Sequence, residues 1–419
     1  MMGKKVLKVF MGIFICAVFL EGCSSGNFGN GQGVDHDASA KSENLEKGKE
    51  DGQGENADYK VKSIPMSQEE EREATDKLLF LTDKCQSIFR QADKGDASNV
   101  ILDEAVVHEM VDTVAVEGLS VTCAQHDYNM RNYEVVHRIL QKARENEDAE
   151  TEFYVLDDNG IFRYYCFQFQ CGALTVVSAA AVIEETATPV IRRMEKIQPY
   201  YWEYTEKGWL IWEKALSRNH EMDMHIFCRI LPLDEKCRQV TEKYISPIGY
   251  VSNNLFLVDW DEENMGQIAF NDLYDSLYTM EKGDAPAEDS YRQGIPKEEF
   301  EGLIRRHFDV SQGQLEEYGT YDSEVGSYPW IAVGPRNRLQ RTRPFPEVVE
   351  CVKNDDGTLS VYVEAIFVEI GKDCAFSHVV TIREEGDGRW VYLGNKIDWE
   401  KSYTVPAYKA RKEYTRYPF

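Results

Sequence analysis

The sequence predicts an α+β protein of two modules, each a group of helices packed on one face of a curved antiparallel sheet. Three observations carry this. Segments with apolar residues at helical spacing cluster at 67–145 and again at 234–318. Each cluster is followed by runs rich in β-branched and aromatic residues, separated by turns that contain glycine. Both series close on a similar hairpin, Thr205-Glu206-Lys207-Gly208-Trp209-Leu210 and Gly386-Asp387-Gly388-Arg389-Trp390-Val391, a weak sign of duplication.

The first module is expected over 67–217. Ser67-Gln68-Glu69-Glu70 has the form of a capping box. It opens a helix that carries Leu78, Leu81, Cys85, Ile88 and Phe89 on one face. Further helices are expected at about 99–117 and 131–145. A strand at 153–156 then turns through Asp157-Asp158-Asn159-Gly160 into a second at 161–170, because Asn-Gly accepts the positive φ of a tight hairpin. A third strand is expected at 173–183, and an aromatic hairpin pairs 200–204 with 209–212.

The second module is expected over 218–419. Helices are read at 234–244, 270–280, 296–308 and 312–318, and strands at 347–352, 358–370, 375–384 and 389–396. The chain ends in a basic aromatic tail, with Lys409, Arg411, Lys412 and Arg416 among Tyr408, Tyr414 and Tyr417, which either docks on the body or frays.

The N-terminus reads as an address. Lys4, Lys5 and Lys8 precede an apolar run, Val9 to Leu20, too short to span a bilayer and suited to a signal peptide over 1–22. The run ends in Leu20-Glu21-Gly22-Cys23, which resembles the lipobox of bacterial lipoproteins. Glu21 departs from that pattern, where a small or apolar residue is usual. The resemblance implies cleavage before Cys23, lipid on its thiol, and anchorage on the outer face of the cytoplasmic membrane. Residues 23–66 are rich in Gly, Asn, Ser, Lys and Glu and bury too little to fold. As a coil this tether reaches about 35 Å.

The chain has 419 residues and a net charge of −26. That acidity argues against nucleic acid as a partner, which needs a basic footprint. It also keeps the body off an anionic membrane surface, so the lipid must do the holding. Cys16 lies in the signal and Cys23 is the lipid site. The other eight are Cys85, Cys123, Cys166, Cys171, Cys228, Cys237, Cys351 and Cys374. An even count in an exported chain invites disulfides. A simple meander, however, places Cys351 and Cys374 opposite points about 30 Å apart along one strand, beyond bridging distance. A chain of this length does not need staples. Mostly free, buried thiols are expected, with one or two bridges open. No Cys/His spacing suggests zinc, and no metal or cofactor is expected.

Several stretches carry a wider resemblance: Ile295-Pro296-Lys297-Glu298-Glu299-Phe300, His307-Phe308-Asp309-Val310, Pro346-Glu347-Val348-Val349-Glu350-Cys351, Asp356-Gly357-Thr358-Leu359 and Phe376-Ser377-His378-Val379-Val380. They resemble uncharacterised lipoproteins of clostridial-type Gram-positive bacteria, over about two thirds of the chain. The helices-then-sheet order is similar to NTF2-like and cystatin-like folds. Neither resemblance implies an activity, since one fold hosts many.

Enzyme signatures are scarce. G-x-S-x-G, a Walker loop and H-E-x-x-H are absent from the sequence. His108-Glu109 lacks a second histidine, and His220 and His225 stand five apart, off a common helical face. Asp259-Trp260-Asp261-Glu262-Glu263-Asn264 faintly resembles a calcium loop, but Asn264 stands where glycine belongs and Phe270 where glutamate belongs.

Three features remain as candidate sites. The aromatic hairpin, with Trp202, Trp209 and Trp212, suits either a sugar-stacking platform or a packed core. Arg336, Arg338, Arg341 and Arg343 suit either a clamp for phosphate or carboxylate groups of a wall polymer or ion pairs with the protein's own acidic surface. His378 follows Cys374 and Phe376 at period two and is either a satisfied core histidine or an acid/base group in a sheet pocket. The expected role is a binding or interaction function at the cell envelope, without catalysis, with a wall polymer or envelope protein as partner. The alternatives are a cell-envelope hydrolase with its pocket in one curved sheet, and a tethered structural spacer.

Overall fold

The computed structural model describes residues 62–94, 100–126, 128–184, 189–214, 224–333 and 344–411. Ser67 opens the helical layer. Its Oγ accepts the backbone N–H of Glu70 at 3.2 Å, and Glu70 Oε2 accepts that of Ser67 at 2.8 Å, a closed capping box.

In chain order the first part comprises β1 (Lys62–Ser63), α1 (Gln68–Gln91), α2 (Glu104–Ala115), β2 (Val121–Cys123), α3 (Tyr133–Arg144), β3 (Ala149–Leu156), β4 (Ile161–Gln170), β5 (Ala173–Ile183) and β6 (Pro189–Gln198). The six strands form one sheet in the order β1-β6-β5-β4-β3-β2, antiparallel except where β2 joins β3. Strand alternation divides β4 between two cores. Phe162, Tyr164 and Cys166 meet Leu78, Leu81, Val107 and Val111 of α1 and α2. Phe167 and Phe169 face the other way, against Val136 and Leu140 of α3. The helices therefore cover both faces of this sheet, a correction to the one-faced arrangement expected from sequence. Double coverage also explains why β5 is apolar almost throughout.

A small antiparallel sheet follows, β7 (Trp202–Tyr204), β8 (Trp209–Lys214) and β9 (Met224–Arg229), with β8 in the middle. Its third strand lies beyond residue 217, where the sequence divides the modules, yet it pairs with β8 along its whole length. Leu210 and Trp212 point into the core shared with Phe153, Phe167 and α3. Trp209 and Ile211 point the opposite way, against Ile366, Phe227 and Phe345.

The last part comprises α4 (Glu235–Val240), a π-helical turn at Thr241–Ile245, β10 (Trp260–Asp261), α5 (Phe270–Lys282), β11 (Ile295–Pro296), α6 (Lys297–Ile304), α7 (Gln312–Tyr318), β12 (Ser327–Tyr328), β13 (Phe345–Lys353), β14 (Leu359–Phe367), β15 (Lys372–Glu384) and β16 (Trp390–Ile397). Strands β11 and β12 pair with each other. The other five form an antiparallel sheet in the order β10-β16-β15-β14-β13. Val361, Val363, Phe376, Val380 and Tyr392 share one core with Phe256, Leu273, Phe300 and Phe308. The β13 edge is covered: Thr241 Oγ1 accepts the Val348 N–H at 3.0 Å, and Lys236 Nζ donates to Cys351 O at 3.3 Å.

The fold class is α+β, as the sequence predicts. Among the described residues Cys85, Cys166, Cys171, Cys228, Cys237, Cys351 and Cys374 are free thiols, and no helix is long and apolar enough to cross a membrane. The core role of the aromatic hairpin has a direct test in urea unfolding. Trp212→Ala should cost about 3–5 kcal/mol, whereas Tyr200→Ala, at a position 66% exposed, should change stability by no more than about 0.5 kcal/mol.

Candidate functional site

His378 sits on β15 opposite Val363 of β14 and Ile397 of β16. Tyr362 and Glu364 flank Val363 and so face the other side of the sheet. The imidazole stacks on Phe256 and Phe376, with ring centroids 5.4 and 5.9 Å away. Its Nδ1–H donates to Asn395 Oδ1 at 2.6 Å, and Asn395 Nδ2 donates onward to Val258 O at 2.8 Å. That orientation leaves Nε2 to accept the Tyr250 hydroxyl at 2.8 Å. The ring is 1% exposed. Burial pushes its pKa from the ordinary 6.5 down to about 4, against the Asn395 hydrogen bond, which raises it. His378 is a satisfied core histidine. This corrects its reading as the acid/base group of a pocket: Glu364 on the neighbouring strand lies on the other face, and both nitrogens are engaged.

The aromatic hairpin is also corrected. Trp209 and Trp212 are each 1% exposed and lie in different cores, so they form no common platform. Trp202 packs on Phe169 at 4.7 Å and donates its Nε1–H to Gly172 O at 3.3 Å. It keeps part of its surface. With Arg144, Asn146, Tyr204 and Glu206 it lines an open groove of about 440 Å³ between the end of α3 and the hairpin. Arg144 stands 3.9 Å from Glu206. Beside it, Tyr204 Oη lies 2.6 Å from His137 Nδ1, and burial lowers the His137 pKa. A guanidinium, an indole and carboxylates on one open surface suit hydrogen bonding and stacking with a polar ligand.

Asp259 and Asp261 are engaged within the fold. Asp259 accepts the Ile397 N–H and the Trp399 indole N–H, both at 2.7 Å. Asp261 Oδ1 accepts the backbone N–H groups of Glu263 and Asn264, each at 3.0 Å. These carboxylates hold β10 against β16 and close a turn. Among the described residues, no group of three or more His, Cys, Asp or Glu side chains is placed to hold a metal ion. Cys23 and the Arg336, Arg338, Arg341 and Arg343 cluster lie outside the described residues.

Two ionic clusters escaped the sequence reading. In the first, buried Arg229 pairs through Nη2 with buried Glu347. Its Nη1 donates to the carbonyl oxygens of Lys207 and Leu231 at 3.3 and 3.4 Å. Its guanidinium lies 4.4 Å over the Trp209 ring. Lys207 Nζ stands 2.6 Å from Glu364 and 3.3 Å from Glu347. Burial lowers the Arg229 pKa to about 10, opposed by Asp373 and Tyr204, so it remains a cation near neutrality. The local signal was an arginine inside the apolar run Phe227-Cys228-Arg229-Ile230-Leu231. The second cluster joins Arg411 to Asp272 and Asp275.

The His378 geometry sets a pH dependence. From pH 6.5 down to about 4 the unfolded chain takes up a proton that the folded ring refuses. This contribution is whole above pH 6.5 and is lost as pH falls towards 4, about 3 kcal/mol in all. The stability difference between wild type and His378→Gln should therefore shrink across that interval in urea titrations at stepped pH. A difference independent of pH would contradict the buried neutral ring.

One family model matches residues 69–411, a span that takes in nearly all of the described structure. No curated protein and no solved structure matches the chain. The chain belongs to the family of unknown function DUF6070.

Proposed function

We propose that the chain is a lipid-anchored binding module on the outer face of the cytoplasmic membrane of a Gram-positive-type cell, acting without catalysis. The observation that carries this is the order Lys4, Lys5, Lys8, then the apolar run Val9 to Leu20, then Leu20-Glu21-Gly22-Cys23. Two acyl chains on Cys23 hold a protein at a bilayer stably. A stretch of polar composition, some 40 residues long, lies in the sequence between Cys23 and the first strand, β1.

Two features support a binding role. The groove beside Trp202 and Arg144 offers stacking and charged hydrogen bonds on one open surface. The sequence also concentrates Arg336, Arg338, Arg341 and Arg343 in a chain of net charge −26. The arginines suit the anionic groups of a wall polymer, and the indole in the groove suits the faces of its sugars. His378, the acid/base candidate for a hydrolase with its pocket in one curved sheet, is enclosed in the core.

One experiment tests anchor and partner in turn. Cys23→Ala should move the protein from the membrane fraction into the medium and remove the acyl mass. An unchanged membrane fraction overturns the anchor. The released protein should then co-sediment with purified wall carrying anionic polymer and not with wall stripped of it. Equal recovery with both overturns the anionic-polymer partner.

A further inference from the structure

The described segment after β16 runs almost without regular structure and brings Arg411 onto α5. Along the way the N–H groups of Tyr403 and Thr404 donate to Ala375 O at 2.8 and 3.0 Å, and Val405 and Tyr408 pack against the core. At its end, the Tyr408 hydroxyl lies 2.6 Å from Asp272 Oδ2. The same carboxylate accepts the Arg411 backbone N–H at 2.9 Å and its Nε–H at 3.0 Å. Arg411 Nη2 stands 2.7 Å from Asp275 Oδ2, while Trp330 Nε1 donates to Asp275 Oδ1 at 2.7 Å. Arg411, Asp272 and Asp275 are 2, 4 and 7% exposed.

This geometry differs from a surface ion pair in three ways. One carboxylate reads a side-chain hydroxyl, a backbone amide and a guanidinium of a single segment, which is how a site recognises a peptide. Asp272 lies in the first turn of α5, where the helix dipole favours an anion. Two carboxylates are buried against one guanidinium, so an empty site would leave both charges uncompensated, and the site demands a cation. The segment itself has no ladder or helix to hold it over most of its length. Besides the Ala375 hydrogen bonds and the packing of Val405 and Tyr408, these ionic contacts hold it.

We propose that Asp272, Asp275 and Trp330 form a recognition site for a peptide with a tyrosine three residues before an arginine, and that Tyr408–Arg411 is its resident, displaceable ligand. The occupant is the chain's own strap. The site is independent of the anchor and of the Trp202 groove.

The test uses the full chain with a protease cleavage sequence inserted after Lys401, whose side chain is 84% exposed. The folded protein is cut and passed over a sizing column, and a fluorescent synthetic peptide of residues 402–419 is added to the cut complex. The strap should stay bound after cleavage and exchange with the labelled peptide. A peptide carrying Arg411→Ala should compete at least about tenfold more weakly, since it leaves both carboxylates unpaired. Arg411→Lys should fall between, keeping the charge and losing the fork. Three results would overturn the proposal. The strap leaves the folded body at micromolar concentration, or the Arg411→Ala peptide competes as well as the native one. In the third, circular dichroism shows the body unfolding as the strap departs, which makes the strap an inseparable part of the core.

Discussion

Glu347 and Glu364 face each other directly across β13 and β14. Two carboxylates in that register repel, and Glu347 is buried. The arrangement stands because the small sheet delivers two cations to it, Arg229 from β9 and Lys207 from the β7–β8 turn. Around this charged centre the contact is apolar: Trp209 and Ile211 from one side, Ile366 from the other, with Phe345 and Phe227 packed against them. The turn that carries Lys207 has no room to vary. Gly208 has φ +85°, and a Cβ there would come within 2.3 Å of Leu231 Cβ.

The same small sheet is fastened to the six-stranded sheet by its other face. Tyr204, Leu210, Trp212 and Cys228 enter the core of Phe153, Phe167 and Phe169. Strand β8 thus gives alternate side chains to two cores, a direct consequence of period two. Replacing the ionic centre with apolar side chains need not weaken the protein, because buried ion pairs gain little over well-packed apolar ones. Removing one partner is different, since it strands the other charge. The ionic centre fixes which faces meet, and the aromatic side chains supply most of the apolar contact.

Much of this was legible locally. The Ser67–Glu70 box marks the start of α1, and Asn159-Gly160 sets the end of β3 and the start of β4, because both signals act within a few residues. Gln312–Tyr318 is found where its spacing places it, and Ser311 caps it. Strand β6 escaped notice because Arg192, Arg193, Glu195 and Lys196 interrupt its apolar pattern. Strand β9 is inconspicuous because His225 and Arg229 bound a run of only three apolar residues, Ile226-Phe227-Cys228. The candidate platform failed on a point visible in the sequence itself. Positions 209 and 212 differ by an odd number, so a strand must send them to opposite faces. The Arg229–Glu347 and Arg411–Asp272 pairs join residues more than a hundred positions apart, and no local pattern announces such a partner.

The central claim is that Arg229 and Glu347 act as one unit that joins the small sheet to the five-stranded sheet. A double-mutant cycle in urea unfolding tests it most directly, with Arg229→Met, Glu347→Leu and the double variant. Each single change should cost about 3–5 kcal/mol, and the double variant should cost less than either, because no charge is then left alone in the core. Single costs below about 1 kcal/mol that simply add in the double variant would show two independent side chains and contradict the account.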